Sequence, residues 1–126
     1  MARVFLDANV LIDLLEKRGQ VSRESLNDHE VFISPLSVHI SAYMTKRKVP
    51  NSELAVIVDD FTITVFDERI CSKALQNPTT DFEDNVQLHS AAEADCDFFL
   101  TNDKQILNLK FFGKTKIIKD LIVFSL

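Results

Sequence analysis

Four aspartates stand where carboxylates can do more than solvate a surface. Asp7 closes the apolar run Val4-Phe5-Leu6, and Asp103 follows Phe98-Phe99-Leu100-Thr101-Asn102. Asp81 and Asp84 lie three apart on one helical face, in the first turn of a stretch that reads as a helix. Each has a bland explanation. Asp7 can cap the next helix, Asp103 can be a turn residue beside Asn102, and Asp81 and Asp84 can favour the positive end of a helix dipole. Glu83 points elsewhere, to solvent or to a capping box with Thr80. Gathered together, the four acids pose a problem, because like charges within a few ångströms cost several kcal/mol unless protonated or bridged by a cation. A hard divalent ion, Mg²⁺ or Mn²⁺, is the natural counter-charge for oxygen ligands. Its chemistry is activation of water and stabilisation of a phosphorane-like transition state.

The elements that must position these residues follow from pattern. Arg3–Leu6 and Val31–Ile33 are short apolar runs that read as buried strands, and Phe61–Phe66 is rich in β-branched and aromatic residues. Residues 97–101 give a fourth strand, and Lys116–Ile118 a possible fifth. Between them the spacing predicts a helix capped by Asn9 through Val10, Leu11, Leu14 and Leu15. Further helices are predicted over residues 36–47, 52–60, 68–76 and 82–94, with a short one after Asp103. Thr80 or Asp81 is the expected cap of the fifth of these. Such alternation predicts an α/β three-layer sandwich, a central and mostly parallel sheet of four to five strands flanked by helices. Ligands of such sheets sit beyond the carboxyl ends of the strands. Asp7 and Asp103 are therefore expected at one edge.

Length and composition set the bounds. The 126 residues suit a single domain spanning 1–126, and 46% hydrophobic content with two Gly and three Pro excludes a disordered or fibrous chain. No apolar run reaches the ~18–20 residues of a membrane helix, and the N-terminus has no signal-peptide pattern. Cys71 and Cys96 lack metal or disulfide spacing and read as small core residues in a reducing compartment, which implies a cytoplasmic location. The net charge of −5 argues against nucleic-acid binding by bulk electrostatics alone. Yet residues 1–103 hold 9 Lys+Arg against 18 Asp+Glu, whereas 104–126 hold Lys104, Lys110, Lys114, Lys116 and Lys119 against Asp120. Lys46-Arg47-Lys48 is a second basic run. These lysines are either a solvated face or contacts to phosphates flanking an acidic, metal-loaded centre.

The opening FLDANVLIDLL and the later DFEDNVQLHSAAEADCDFFLTND resemble the two signatures of the PIN domain family, metal-dependent ribonucleases that include the VapC-type toxins of bacterial toxin–antitoxin pairs. The two motifs bracket Phe5 to Asp103, essentially the whole domain. The resemblance implies metal-binding carboxylates at Asp7, Asp84 and Asp103, with Asp81 as an auxiliary acid. Asn9 and Thr101 would hold the strand ends and orient the acids. It further implies an RNA substrate, frequent homodimers and an antitoxin partner that occludes the site.

The chain departs from the family in one place. A Glu usually stands in the helix after the second strand, whereas SPLSVHISAYM carries no acid. His39 holds roughly that place, with Ser37 two residues before it. An acting His39 would favour Mn²⁺ or a later metal, or contact phosphate as a cation; otherwise it is an ordinary helix residue. Two functions follow. One is a divalent-metal-dependent endoribonuclease using Asp7, Asp81, Asp84, Asp103 and His39, the toxin of a toxin–antitoxin pair. The other is a catalytically impaired metal- or RNA-binding or assembly module. A haloacid-dehalogenase-type phosphatase is set aside because Asn9 stands where a second Asp is needed. A response-regulator receiver is disfavoured because no lysine follows a fifth strand at a creditable place.

Overall fold

A computed structural model describes residues 1–121 of the chain. Its sheet comprises β1 (Arg3–Leu6), β2 (Glu30–Ile33), β3 (Thr62–Ile63), β4 (Phe98–Leu100), β5 (Phe111–Phe112) and β6 (Thr115–Ile118), ordered β3-β2-β1-β4-β6-β5. All neighbours are parallel except β5, which runs antiparallel to β6. Parallel neighbours need crossovers, and seven helices lie between the strands: α1 (Ala8–Leu15), α2 (Arg23–Leu26), α3 (Pro35–Met44), α4 (Ser52–Asp60), α5 (Glu68–Ala74), α6 (Phe82–Glu93) and α7 (Lys104–Leu107).

Side chains alternate between the two faces of the sheet, as a period of two requires. Val4, Leu6, Val31, Ile33, Leu100 and Ile118 meet Val10, Leu11 and Leu14 of α1 and Leu54 and Ile57 of α4. Phe5, Phe32, Phe99 and Ile117 turn the other way, onto Leu88 and Ala91 of α6 and Ile106 of α7. The rings of Phe5 and Phe99 stack at 5.4 Å across the two central strands. Burial on both faces explains why these strands read as continuous apolar runs.

Several expectations need correction. The sheet has six strands among the described residues, not four or five, because Gly113 at φ +60° allows a tight return that pairs Phe112 with Thr115. β3 covers only Thr62–Ile63 of the expected 61–66. Phe61 still ends α4, donating its N–H to Ile57 O, and beyond β3 only Thr64 holds on, donating to Ile33 O at 2.9 Å. α2 is unforeseen. Ser22 accepts from Ser25 N while Ser25 Oγ accepts from Ser22 N, a reciprocal cap on a four-residue helix too short to show a period. Cys96 is buried and its thiol is pushed up to about 12 by desolvation, as a core residue's should be. Cys71 is only partly buried.

Candidate active site

Adjacent parallel strands β1 and β4 carry Asp7 and Asp103 to the same carboxyl edge. Asp7 is 2% exposed and occupies the N-cap position of α1, yet its side chain makes no capping bond. Asn9, expected to cap α1, instead lies within its first turn, exposed and without a side-chain hydrogen bond among the described residues. Gln87 of α6 does part of the capping, accepting the Ala8 N–H at 2.7 Å. Asp7 is thereby released from local duty and held by tertiary bonds. Its N–H donates to Leu100 O at 3.0 Å, and Thr101 Oγ1 donates to Asp7 Oδ2 at 2.6 Å. Thr101 Oγ1 also accepts the Asp103 N–H at 3.0 Å, so one hydroxyl links both strand-end acids. Asp103 caps α7, its Oδ1 accepting from Gln105 N and Ile106 N.

α6 supplies the other pair. Asp81, not Thr80, is its cap, accepting from Asp84 N at 3.0 Å, and the Thr80/Glu83 box does not form. The start of this helix is pinned by buried Asn85, whose amide donates to Ala74 O and Thr79 O while its Oδ1 accepts from Thr79 N and Thr79 Oγ1. Asn85 and Gln87 were not singled out in the sequence. The available signal was a helix with no apolar stripe, in which Asn85, Gln87 and Ser90 are buried beside Val86 and Leu88.

The electrostatics register the convergence. Burial is the largest cause pushing Asp84 up to about 7, and the neighbouring charges of Asp81, Asp7, Asp103 and Glu83 push the same way. Burial also raises Asp7, opposed by hydrogen bonds from Thr101 and Gln87. Four carboxylates from three separate elements thus sense one another. Their hard oxygens suit Mg²⁺ or Mn²⁺, although among the described residues no three His, Cys, Asp or Glu side chains stand close enough to ligate an ion as a group. Mg²⁺ needs no such cage, since it commonly takes one or two carboxylates and keeps its waters.

Asp84 gives a pH-dependent prediction. Its folded-state pKa lies above its unfolded value, so its stabilising contribution is complete below about pH 4 and is lost as pH rises through about 7. The full shift corresponds to about 4 kcal/mol, of which its half-exposed position leaves roughly 1–2 kcal/mol after solvent screening. In EDTA, Asp84→Asn is expected to be more stable than wild type by that amount at pH 8 and equal to it at pH 4. Parallel urea-denaturation curves at the two pH values would refute this.

His39 lies elsewhere. Ser37 is buried and its Oγ donates toward Gln87 Oε1 at 3.5 Å. His39, two residues on, is about 200° further round α3. It is exposed, its ring stacks on Tyr43, and it bonds to none of the acids. The basic tail also divides. Lys104 opens α7 beside Asp103, and Lys119 follows β6 level with Thr101, whose N–H donates to Ile118 O. Lys110, Lys114 and Lys116 belong to the β5–β6 end instead. A cavity of about 320 Å³ between β3 and the α5–α6 pair contains none of the four acids.

A mostly parallel sheet with helices on both faces, carrying acids at its carboxyl edge, defines an α/β three-layer sandwich. Residues 3–105 match the PIN domain family, and the chain belongs to that family. PIN domains are generally nuclease domains; their nucleases bind nucleic acid and generally use divalent metals. No curated protein matches the sequence. Among the described residues no helix is long and apolar enough to cross a membrane.

Proposed function

We propose that this chain, as one PIN-type unit over residues 1–126, is a divalent-metal-dependent endoribonuclease that hydrolyses RNA phosphodiester bonds. On this reading it is the cytoplasmic toxin of a toxin–antitoxin pair, a homodimer whose site an antitoxin protein occludes. The observation that carries the nuclease reading is that β1, β4 and α6 bring Asp7, Asp103, Asp81 and Asp84 within electrostatic reach of one another, with Thr101 Oγ1 bonded to both strand-end acids. Such an arrangement is costly without a cation and useful with one.

Asp7, Asp84 and Asp103 would share Mg²⁺ or Mn²⁺, one or two of them directly and the rest through its waters; the ion would supply Lewis-acid polarisation of phosphate and a lowered pKa for water. Thr101 fixes the plane of Asp7 through Oδ2 and sets the start of the Asp103 turn. Asp84, raised first by burial and then by the charges of Asp81, Asp7 and Asp103, would be kept in its carboxylate form by a bound cation. Asp81, exposed at the cap of α6, would orient or deprotonate water. His39 contributes no ligand on this reading.

The test is a titration of Mg²⁺ and of Mn²⁺ into purified protein with a structured RNA. Internal cleavage that appears with metal and stops with EDTA supports the proposal. A second reading, a binding module without turnover, is favoured by the absence of any acid on α3. Its signature is metal-dependent thermal stabilisation and RNA binding with no cleavage at millimolar metal.

A further inference from the structure

Neither the core nor the acidic site uses the outer face of α3. His39 and Tyr43 are one turn apart, their rings stacked with centroids 6.3 Å apart and planes 24° apart. Tyr43 is 74% exposed and His39 is exposed, while Ser37 and Ser41 take the buried side of the helix. Lys46 and Lys48 follow, both exposed and without an ion-pair partner among the described residues. Arg47 between them is spent on structure, pairing with Glu16 and Glu53 and donating to Leu15 O. In a chain of net charge −5, this joins two exposed rings to two unneutralised cations.

The combination selects its occupant. Unpaired bases stack on aromatic rings of any sequence context, and their phosphates take lysine ammonium groups. A second copy related by a two-fold axis would bring the same cations face to face. The position also fits. α3 starts at Ser34, at the carboxyl end of β2 beside β1, and Tyr43 lies about 14 Å along the helix from that end. That is the span of about four stacked nucleotides.

We propose that His39 and Tyr43, flanked by Lys46 and Lys48, form a stacking platform for an unpaired stretch of RNA lying a few nucleotides from the phosphate to be cut. The assignment rests on the ribonuclease reading for its scissile phosphate, but its binding step is separable from cleavage.

The test measures fluorescence anisotropy of a labelled single-stranded RNA of about 12 nucleotides, using the full chain carrying Asp7→Asn. In that background Tyr43→Ala weakens binding about five- to hundredfold, and Tyr43→Phe stays within about twofold. Replacing Lys46 and Lys48 together by Ala lowers the slope of log Kd against log salt by about 1–1.5. A duplex of the same sequence responds less to Tyr43→Ala, because its bases are already stacked. Equal affinity in Tyr43→Ala, or equal losses for duplex and single strand, overturns the platform. Loss of a dimer in Tyr43→Ala on gel filtration, with RNA affinity unchanged, also overturns it and assigns the face to contact between copies. Wild-type protein that binds through Tyr43 without cutting refutes the nuclease reading alone; cleavage with Tyr43-independent binding refutes the platform alone.

Discussion

Asp7→Asn is expected to fold normally and to lose RNA cleavage by roughly 10²–10⁴-fold, the scale of removing several kcal/mol of metal-assisted stabilisation. The substitution keeps the shape of the side chain and an oxygen for the Thr101 hydroxyl, so the 2.6 Å bond that ties β1 to β4 has a replacement. It removes the charge that burial disfavours. Burial raises the native carboxyl, so ionising it opposes folding, and the neutral amide carries no such penalty. Thermal stability in EDTA is therefore expected to match or exceed wild type, a site residue held against the interest of stability. Added Mg²⁺ raises the Tm of wild type but not of the variant. Cleavage that persists in Asp7→Asn would remove Asp7 from the mechanism, and a collapsed Tm would show that its role is structural.

Phe99→Ala carries the largest expected effect on stability. Phe99 is fully buried on the middle strand β4, stacked on Phe5 and packed with residues of α6 and α7. Truncating a core Phe costs about 3–5 kcal/mol through lost transfer energy and the cavity left behind, and the aromatic pair adds about 0.5–1.5 kcal/mol. Most small domains have only about 5–15 kcal/mol to lose. Urea denaturation is expected to show a midpoint lowered accordingly with an unchanged m-value. A loss below about 1 kcal/mol would mean that the interface between sheet and α6 is loosely packed. Phe99→Leu, which retains most of the volume, is expected to recover the larger part.

Much of the fold was legible because its strands are buried on both faces. Val4-Phe5-Leu6 and Phe98-Phe99-Leu100 can hardly be anything else between helical stretches, and their terminal aspartates then fall at one edge. The two elements that escaped the sequence are too short to show a period: α2, held by two serine hydroxyls with only Leu26 buried, and β5, a two-residue return. The site was legible in its acids and not in its supports. Gln87 looks like a solvent residue until Ala8 N is seen to need an acceptor, and Asn85 until the loop before α6 is seen to hang on its amide. Asn9 fails for the complementary reason: a good capping residue counts for nothing once the cap position falls two residues earlier, at Asp7, where tertiary bonds define it. His39 shows the limit of spacing alone, since a shift of two residues along α3 reverses the side on which a side chain emerges.

The bond between Thr101 and Asp7 joins residues 94 apart in the chain. β4 enters the sheet between β1, which is made well before it, and β6, which is made after it. A nascent chain therefore exposes Asp7 and the α6 acids without the strand that aligns them, and no N-terminal fragment ending before Asp103 contains the complete acidic set. The edge is therefore a late assembly within this domain, complete only once β4 has docked beside β1.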